Sequence, residues 1–333
     1  MAQRRYFYFT AATTGAAIMI VEILGAKMLA PYVGTSHFVW TAQIAVTLVA
    51  LASGYYCGGR WVDRSPKLGL LYGGIVVAAV YLCGAVSVVE PIAYWCLRFK
   101  LALGSLLASV FLFFVPLALL ATVGPFLVRL LTHSLQNVGR SVGRLTAIST
   151  LGSVAGTLLI GYVLIPLLPN SLTMILTAVA LMLVAAAYFL IWGRKAGPVC
   201  GALLAVGLGI GCGIKAQSRP LLKGEVLEEI YRGNSNFGQL QVFQARNDPR
   251  RYYLNDYLTQ NTYDTNAHQS ISMFTYMLHD LARAYTSNLT DVLCIGLGVG
   301  IVPMQFAREG IGVDVVEINP AVACRNVSQS RRS

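Results

Sequence analysis

Residues 292–300 read VLCIGLGVG, and residues 313–320 read VDVVEINP. An apolar strand, a glycine turn, a short helix and a second apolar strand closing on Glu317 make the opening of a nucleotide-binding βαβ unit. Each part has a physical job. Glycines let the backbone approach a ligand closely, and the start of the helix offers N–H groups that have no partner within the helix. An acid at the end of the second strand is placed to accept hydrogen bonds from ribose hydroxyls.

Upstream of this unit the chain has a different character. Of its 333 residues 56% are hydrophobic, and the mean hydropathy of +0.63 is too high for a soluble protein of this size. Residues 1–215 carry fourteen Lys/Arg against three acids, Glu22, Asp63 and Glu90, whereas 216–333 carry eleven of each. The whole net charge of +11 therefore belongs to the apolar part, where it reports membrane topology; nucleic acid is not an expected partner. Seven cysteines (57, 83, 96, 200, 212, 294 and 324) show no short paired spacing and read as small apolar side chains.

Seven stretches approach the ~20 residues needed to cross a bilayer. They lie near 6–30, 37–59, 68–89, 101–131, 145–168, 171–192 and 198–214. Arg4, Arg5, Arg60, Arg64, Lys67, Arg129, Arg140, Arg144, Arg194 and Lys195 all fall on one side if the chain starts in the cytoplasm, a strong positive-inside pattern. The seventh stretch is short and glycine-rich and leaves the side of the C-terminal part open. Gly54/Gly58, Gly152/Gly156 and Gly207/Gly211 would let helices pack closely, within one bundle in preference to a homo-oligomer. Glu22, alone in the first apolar segment, is expensive in lipid and is expected to face the bundle interior. Two readings stand for it: a helix-to-helix hydrogen bond with Gln43 or Thr41, or a cation or proton site. GGRWVDR at 58–64 resembles the loop signature of major-facilitator transporters through Gly59, Asp63 and Arg64, and reads first as a charged helix end.

From Glu225 onward EVLEEIYR, FGQLQVFQA and RRYYLND alternate apolar and polar residues like half-buried antiparallel strands, with turns at Gly233–Asn236 and Asn247–Pro249. A helix is predicted over Ile271–Ala284, then a strand at 292–295, a helix at 301–309 and a strand at 313–318. The glycine spacing narrows the ligand. A dinucleotide fingerprint, G-x-G-x-x-G, needs glycine at 301, where Ile301 stands; the glycines are Gly296, Gly298 and Gly300. G-x-G-x-G after an apolar strand, with Glu317 seventeen residues on, is the pattern of S-adenosylmethionine-type folds.

Residues 225–320 resemble the spermidine synthase (polyamine aminopropyltransferase) family. The likeness rests on the strand pair around Asn236-Phe237-Gly238, on RRYYLND with Gln260, on Tyr276 and His279, on the glycine turn and on VVEINP. EILGAKMLAPYVG, FVWTAQIAV and GYYCGGRWVDR resemble the membrane region of bacterial proteins that fuse such a module to a multi-pass bundle. The fold so implied is a transmembrane helical domain (1–215), a β-strand cap (216–265) and an incomplete Rossmann-like α/β domain (266–333), held in the bacterial inner (plasma) membrane by contact with lipid. The resemblance implies decarboxylated S-adenosylmethionine as donor and a polyamine such as putrescine as acceptor. Gln260, Gly296, Gly298, Gly300 and Glu317 would then hold the donor, and Tyr276 and His279 the amine.

The chain also departs from that family. Val299 stands where an aspartate would hold the donor's amine, and Met277 and Leu278 occupy the place of a glutamate beside Tyr276 and His279. The family's catalytic aspartate falls beyond residue 333, so no catalytic residue is assigned. ACRNVSQSRRS lacks an apolar helical period, which leads us to expect truncation near Val322 and a chain inactive in transfer. Other readings are a methyltransferase or similar S-adenosyl-ligand transferase, and a polyamine or cation transporter or sensor using Glu22. His37, His133, His268 and His279 are too scattered for a metal or triad signature, and no metal is expected.

Overall fold

The computed structural model describes residues 2–34, 36–132, 138–193, 227–235, 238–255 and 258–319, with isolated positions at 201, 207, 211 and 322. The chain divides into two compact units, Met1–Arg219 and Pro220–Ser333. The predicted membrane stretch at 198–214 and the Gly207/Gly211 pair lie outside the continuously described residues.

Among the described residues, six helices of the first unit are long and apolar enough to cross a membrane: α1 Ala2–Val33, α2 His37–Arg64, α3 Leu68–Cys96, α4 Leu101–Leu131, α5 Val138–Leu167 and α6 Asn170–Gly193. The protein is thus a multi-pass membrane protein built on a helical bundle. The helices run further than the apolar stretches alone suggest. Pro91 lies inside α3 without ending it. One turn each of α4 (Val110–Phe114), α5 (Ile160–Leu164) and α6 (Phe189–Gly193) widens to π-helix.

Small residues set how closely the helices approach. A Cβ added at Gly152 would come within 2.6 Å of Ala12 Cα, and one at Gly156 within 2.6 Å of Ala16 Cα. Residue numbers rise together across this seam, so α1 and α5 lie side by side in the same sense. Gly58 meets Thr122 in the same manner, which sets α2 against α4. Where α1, α3 and α6 meet, the core is aromatic. Tyr72 stacks on Tyr188 with ring centroids 3.9 Å apart and shares a 3.0 Å hydrogen bond with the Thr10 hydroxyl. The Tyr6 hydroxyl donates to the Val184 carbonyl.

The second unit opens with an antiparallel meander of five strands: β1 Leu227–Ser235, β2 Gly238–Ala245, β3 Arg250–Asn255, β4 Leu258–Asp264 and β5 Gln269–Ser270. The predicted turn at Gly233–Asn236 is corrected here. Gly233 pairs with Leu240 and Ser235 with Gly238, so β1 stays in register past its bulge at Glu229–Tyr231 and runs on to Ser235. After the meander come α7 (Met273–Tyr285), β6 (Asp291–Ile295), α8 (Ile301–Arg308) and β7 (Gly312–Val316). β6 and β7 pair in parallel, from Asp291↔Gly312 to Ile295↔Val316. Parallel neighbours need a crossover between them, and α8 supplies it.

Candidate functional site

The turn between β6 and α8 is built from three glycines in the left-handed region, Gly296 (φ +94°), Gly298 (φ +54°) and Gly300 (φ +80°). Residues with a Cβ adopt that conformation at a cost, so the backbone here depends on glycine. A Cβ at Gly296 or Gly298 would meet nothing within 4 Å, which leaves open space along the turn. The Gly300 N–H donates to the Leu297 carbonyl at 2.8 Å, and Gly300 caps α8.

Glu317 is bound into this turn. Its carboxylate accepts the Leu297 N–H and the Asn319 N–H, each at 2.8 Å, while the Gly296 N–H donates to the Val316 carbonyl at 2.8 Å. The acid and the glycine turn therefore form one rigid piece. A carboxylate offers about four lone-pair sites, so two remain for a diol after these two bonds. Cys294, on β6 two residues before the turn, has its thiol pushed up by burial, which disfavours the thiolate.

The meander contributes a second face. Tyr253 pairs with Asn261 across β3 and β4, Leu254 pairs with Thr259, and Gln260 is the extra residue of a β-bulge. Bulges re-aim side chains and gather beside functional sites. Gln260 is exposed there, whereas Asn261 is buried and accepts a 2.8 Å hydrogen bond from the Ser270 hydroxyl. Burial pushes the Tyr253 phenol up to about 12, and the negative charge of Glu317 adds to the rise. The meander thus sets a neutral phenol within electrostatic reach of the acid that ends β7. Sequence reasoning did not single out Tyr253. The doubled tyrosine in RRYYLND was the available signal, since only one of the pair can face the meander's inner side.

Tyr276 and His279 share one face of α7, but both are occupied. The Tyr276 hydroxyl donates to the Ser270 carbonyl at 2.9 Å. His279 lies 2.8 Å from a Glu309 carboxylate oxygen through Nε2 and 3.1 Å from Asp280 through Nδ1, with its ring against Phe306. Arg283 also pairs with Glu309. His279 and Arg283 fasten α7 to the end of α8 while Tyr276 ties it to β5, and no hydrogen bond or ion pair joins Tyr276 or His279 to the glycine turn among the described residues.

In the bundle Glu22 sits half-buried on α1, and no hydrogen bond or ion pair reaches it among the described residues. The expected bond to Gln43 is not formed: both Gln43 amide atoms are buried without a partner. The 58–64 motif ends α2, and its Asp63 lies 3.9 Å from Arg129 of α4 with both side chains largely exposed. An exposed pair of that kind contributes about 0–1 kcal/mol, so it is a helix-end fastening. Among the described residues no group of three or more His, Cys, Asp or Glu is placed to hold a metal ion. Comparison with family models, with curated proteins and with solved structures gives no match for this chain.

Proposed function

We propose that the second unit binds an adenosyl sulfonium donor and that the chain is a membrane-anchored relative of the spermidine synthases. On this reading decarboxylated S-adenosylmethionine is the donor and a polyamine such as putrescine the acceptor. The observation that carries it is Glu317, whose carboxylate is held by the Leu297 N–H of the glycine turn at 2.8 Å while keeping lone pairs for a ribose. Gly296 and Gly298 have open space over them for the thioether chain. Tyr253 and the bulged Gln260 offer polar groups from the meander: a phenol whose proton is held by burial, and an amide that can both give and accept.

In such a transfer the acceptor amine attacks the propyl carbon beside the sulfonium. The new C–N bond forms as the C–S bond breaks, the electron pair leaves with sulfur as a neutral thioether, and the amine proton passes to a base. Positioning carries most of the rate in a displacement of this type. A turn and an acid fixed to each other before ligand arrives are suited to that task.

Calorimetric titration of the full chain in detergent tests the reading. Decarboxylated S-adenosylmethionine should bind with a single site, and Glu317→Ala should weaken it by about tenfold or more, the cost of losing hydrogen bonds to a charged group. Preference for ordinary S-adenosylmethionine would move the assignment to a methyltransferase, in keeping with Val299. Binding of neither ligand would remove the donor site.

A further inference from the structure

The bundle buries polar groups that its own packing does not satisfy. Gln43 on α2 is completely buried, with both its amide nitrogen and its amide oxygen lacking a partner, and Ser109 on α4 has a fully buried hydroxyl in the same state. Buried polar atoms are almost always paired, by protein or by something bound, because leaving them bare is costly. Gln43 is also deliberately accommodated: its amide lies over Gly25 of α1, 2.5 Å from where a Cβ would stand. Any residue other than glycine at 25 would drive it out.

That position brings Gln43 to Glu22. Residues three apart on a helix hold their Cβ positions about 5–6 Å from each other on one face. The Gln43 amide, seated in the Cβ place of Gly25, therefore lies about one turn of α1 from Glu22, on the same side of the helix. The two are nevertheless not bonded to each other. Counting along the α2–α4 seam brings Ser109 to about the same height. Gly54 and Gly58 of α2 face Ala118, Ala121 and Thr122 of α4 with numbers rising together, and stepping back eleven residues from Gly54 reaches Gln43 and the 107–110 region of α4. The first turn of π-helix begins directly after Ser109, and such wide turns recur at functional sites.

We propose that Glu22, Gln43 and Ser109 form an intramembrane binding site for a primary ammonium group. Its three N–H donors match three acceptors: the Glu22 carboxylate, the Gln43 amide oxygen and the Ser109 hydroxyl oxygen. The carboxylate supplies the single compensating charge that a cation in a bundle requires. The site stands on the bundle alone and is independent of the donor site in the second unit.

A hydrophobic carbodiimide, which adds to carboxyl groups shielded from bulk water, reads the site at one residue. The full chain in detergent is treated with the reagent, and the adduct at Glu22 is quantified by peptide mass spectrometry, with exposed Asp63 as internal reference. Glu22 should be modified, and putrescine should protect it saturably where sodium at equal ionic strength does not. Gln43→Met, which keeps the length and flexibility of the side chain, should raise the putrescine concentration for half-protection by about tenfold or more. Ser109→Ala should raise it several-fold. Because Gln43→Met removes orphaned polar atoms it should unfold no earlier than the parent, so loss of protection cannot be ascribed to misfolding. Unmodified Glu22, modification indifferent to putrescine, protection by sodium alone, or protection unchanged in Gln43→Met would each overturn the site.

Discussion

Exposed apolar surface means opposite things in the two units. In the bundle Leu151 is 68% exposed and Tyr162 79%, and in a helix that spans a bilayer such side chains face lipid, which is as apolar as they are. In the second unit Ile295 is 86% exposed and Tyr285 88%, with Met273, Phe274, Leu293, Val316 and Ile318 also open, and there, among the described residues, no helix is long and apolar enough to cross a bilayer. The bundle draws its cohesion from close backbone approach along glycine seams. The α/β part draws its cohesion from a thin core, centred on Phe306, and from polar fastenings such as the His279–Glu309 hydrogen bond and the Arg283–Glu309 ion pair. One unit is finished by its solvent, and the other presents apolar faces that a soluble protein ordinarily covers.

If glycine seams hold the bundle, position within the bundle must decide what a methyl group does. Gly152→Ala sets a Cβ against the Ala12 backbone, which cannot rotate away as a side chain would. We expect a loss of about 3 kcal/mol or more, at or beyond the upper range for overpacking, read as early thermal unfolding in detergent. Gly84→Ala lies mid-helix in α3 with nothing within 4 Å, and should gain up to about 1 kcal/mol from helix propensity. Equal effects at the two positions would break the contrast.

The second unit gives the converse pair. Phe306 is 2% exposed and lies under His279, so Phe306→Ala should cost about 3 kcal/mol, at the low end for a buried aromatic because the core around it is small. Ile295→Lys, at 86% exposure, should stay within about 0.5 kcal/mol of the parent in denaturant unfolding. A large loss at Ile295, or a change in oligomeric state on introducing the lysine, would show that this face is covered in the working protein.

What the sequence made legible follows the same division. Seven apolar runs announce membrane helices, because composition largely decides what enters a bilayer; six of them stand as long helices among the described residues, and the seventh, 198–214, lies outside the continuously described ones. Helix ends were less legible: the third apolar stretch reads as 68–89, and α3 continues through Pro91 to Cys96. The π turns of α4, α5 and α6 have no sequence signature. In the second unit β6, α8 and β7 were readable from glycine spacing and apolar runs, whereas β4 and β5 were not. LTQNTYD buries Asn261 through Ser270, and a strand whose inward residue is polar hides from a search for apolar alternation. His279 was legible as a chemical group, but its partner Glu309 stands thirty residues later, beyond any local pattern.

The smallest expected effect concerns the one titration that links the meander to the acid. Folding holds the Tyr253 phenol at about 12 against an ordinary value of 10, so the folded state keeps a proton that the unfolded chain releases. The stability tied to that phenol is complete below about pH 10 and is lost as pH rises through about 12. Tyr253→Phe should therefore flatten the alkaline fall in stability modestly, since the side chain is only partly buried. Glu317→Gln separates the two causes. Removing the negative charge should bring the late-titrating phenol down in a 13C-tyrosine titration, yet leave it above 10, because burial is the larger cause. An unmoved titration in Glu317→Gln would mean that the meander and the end of β7 do not face one space, and the polar half of the donor site would have to be sought on α7 instead.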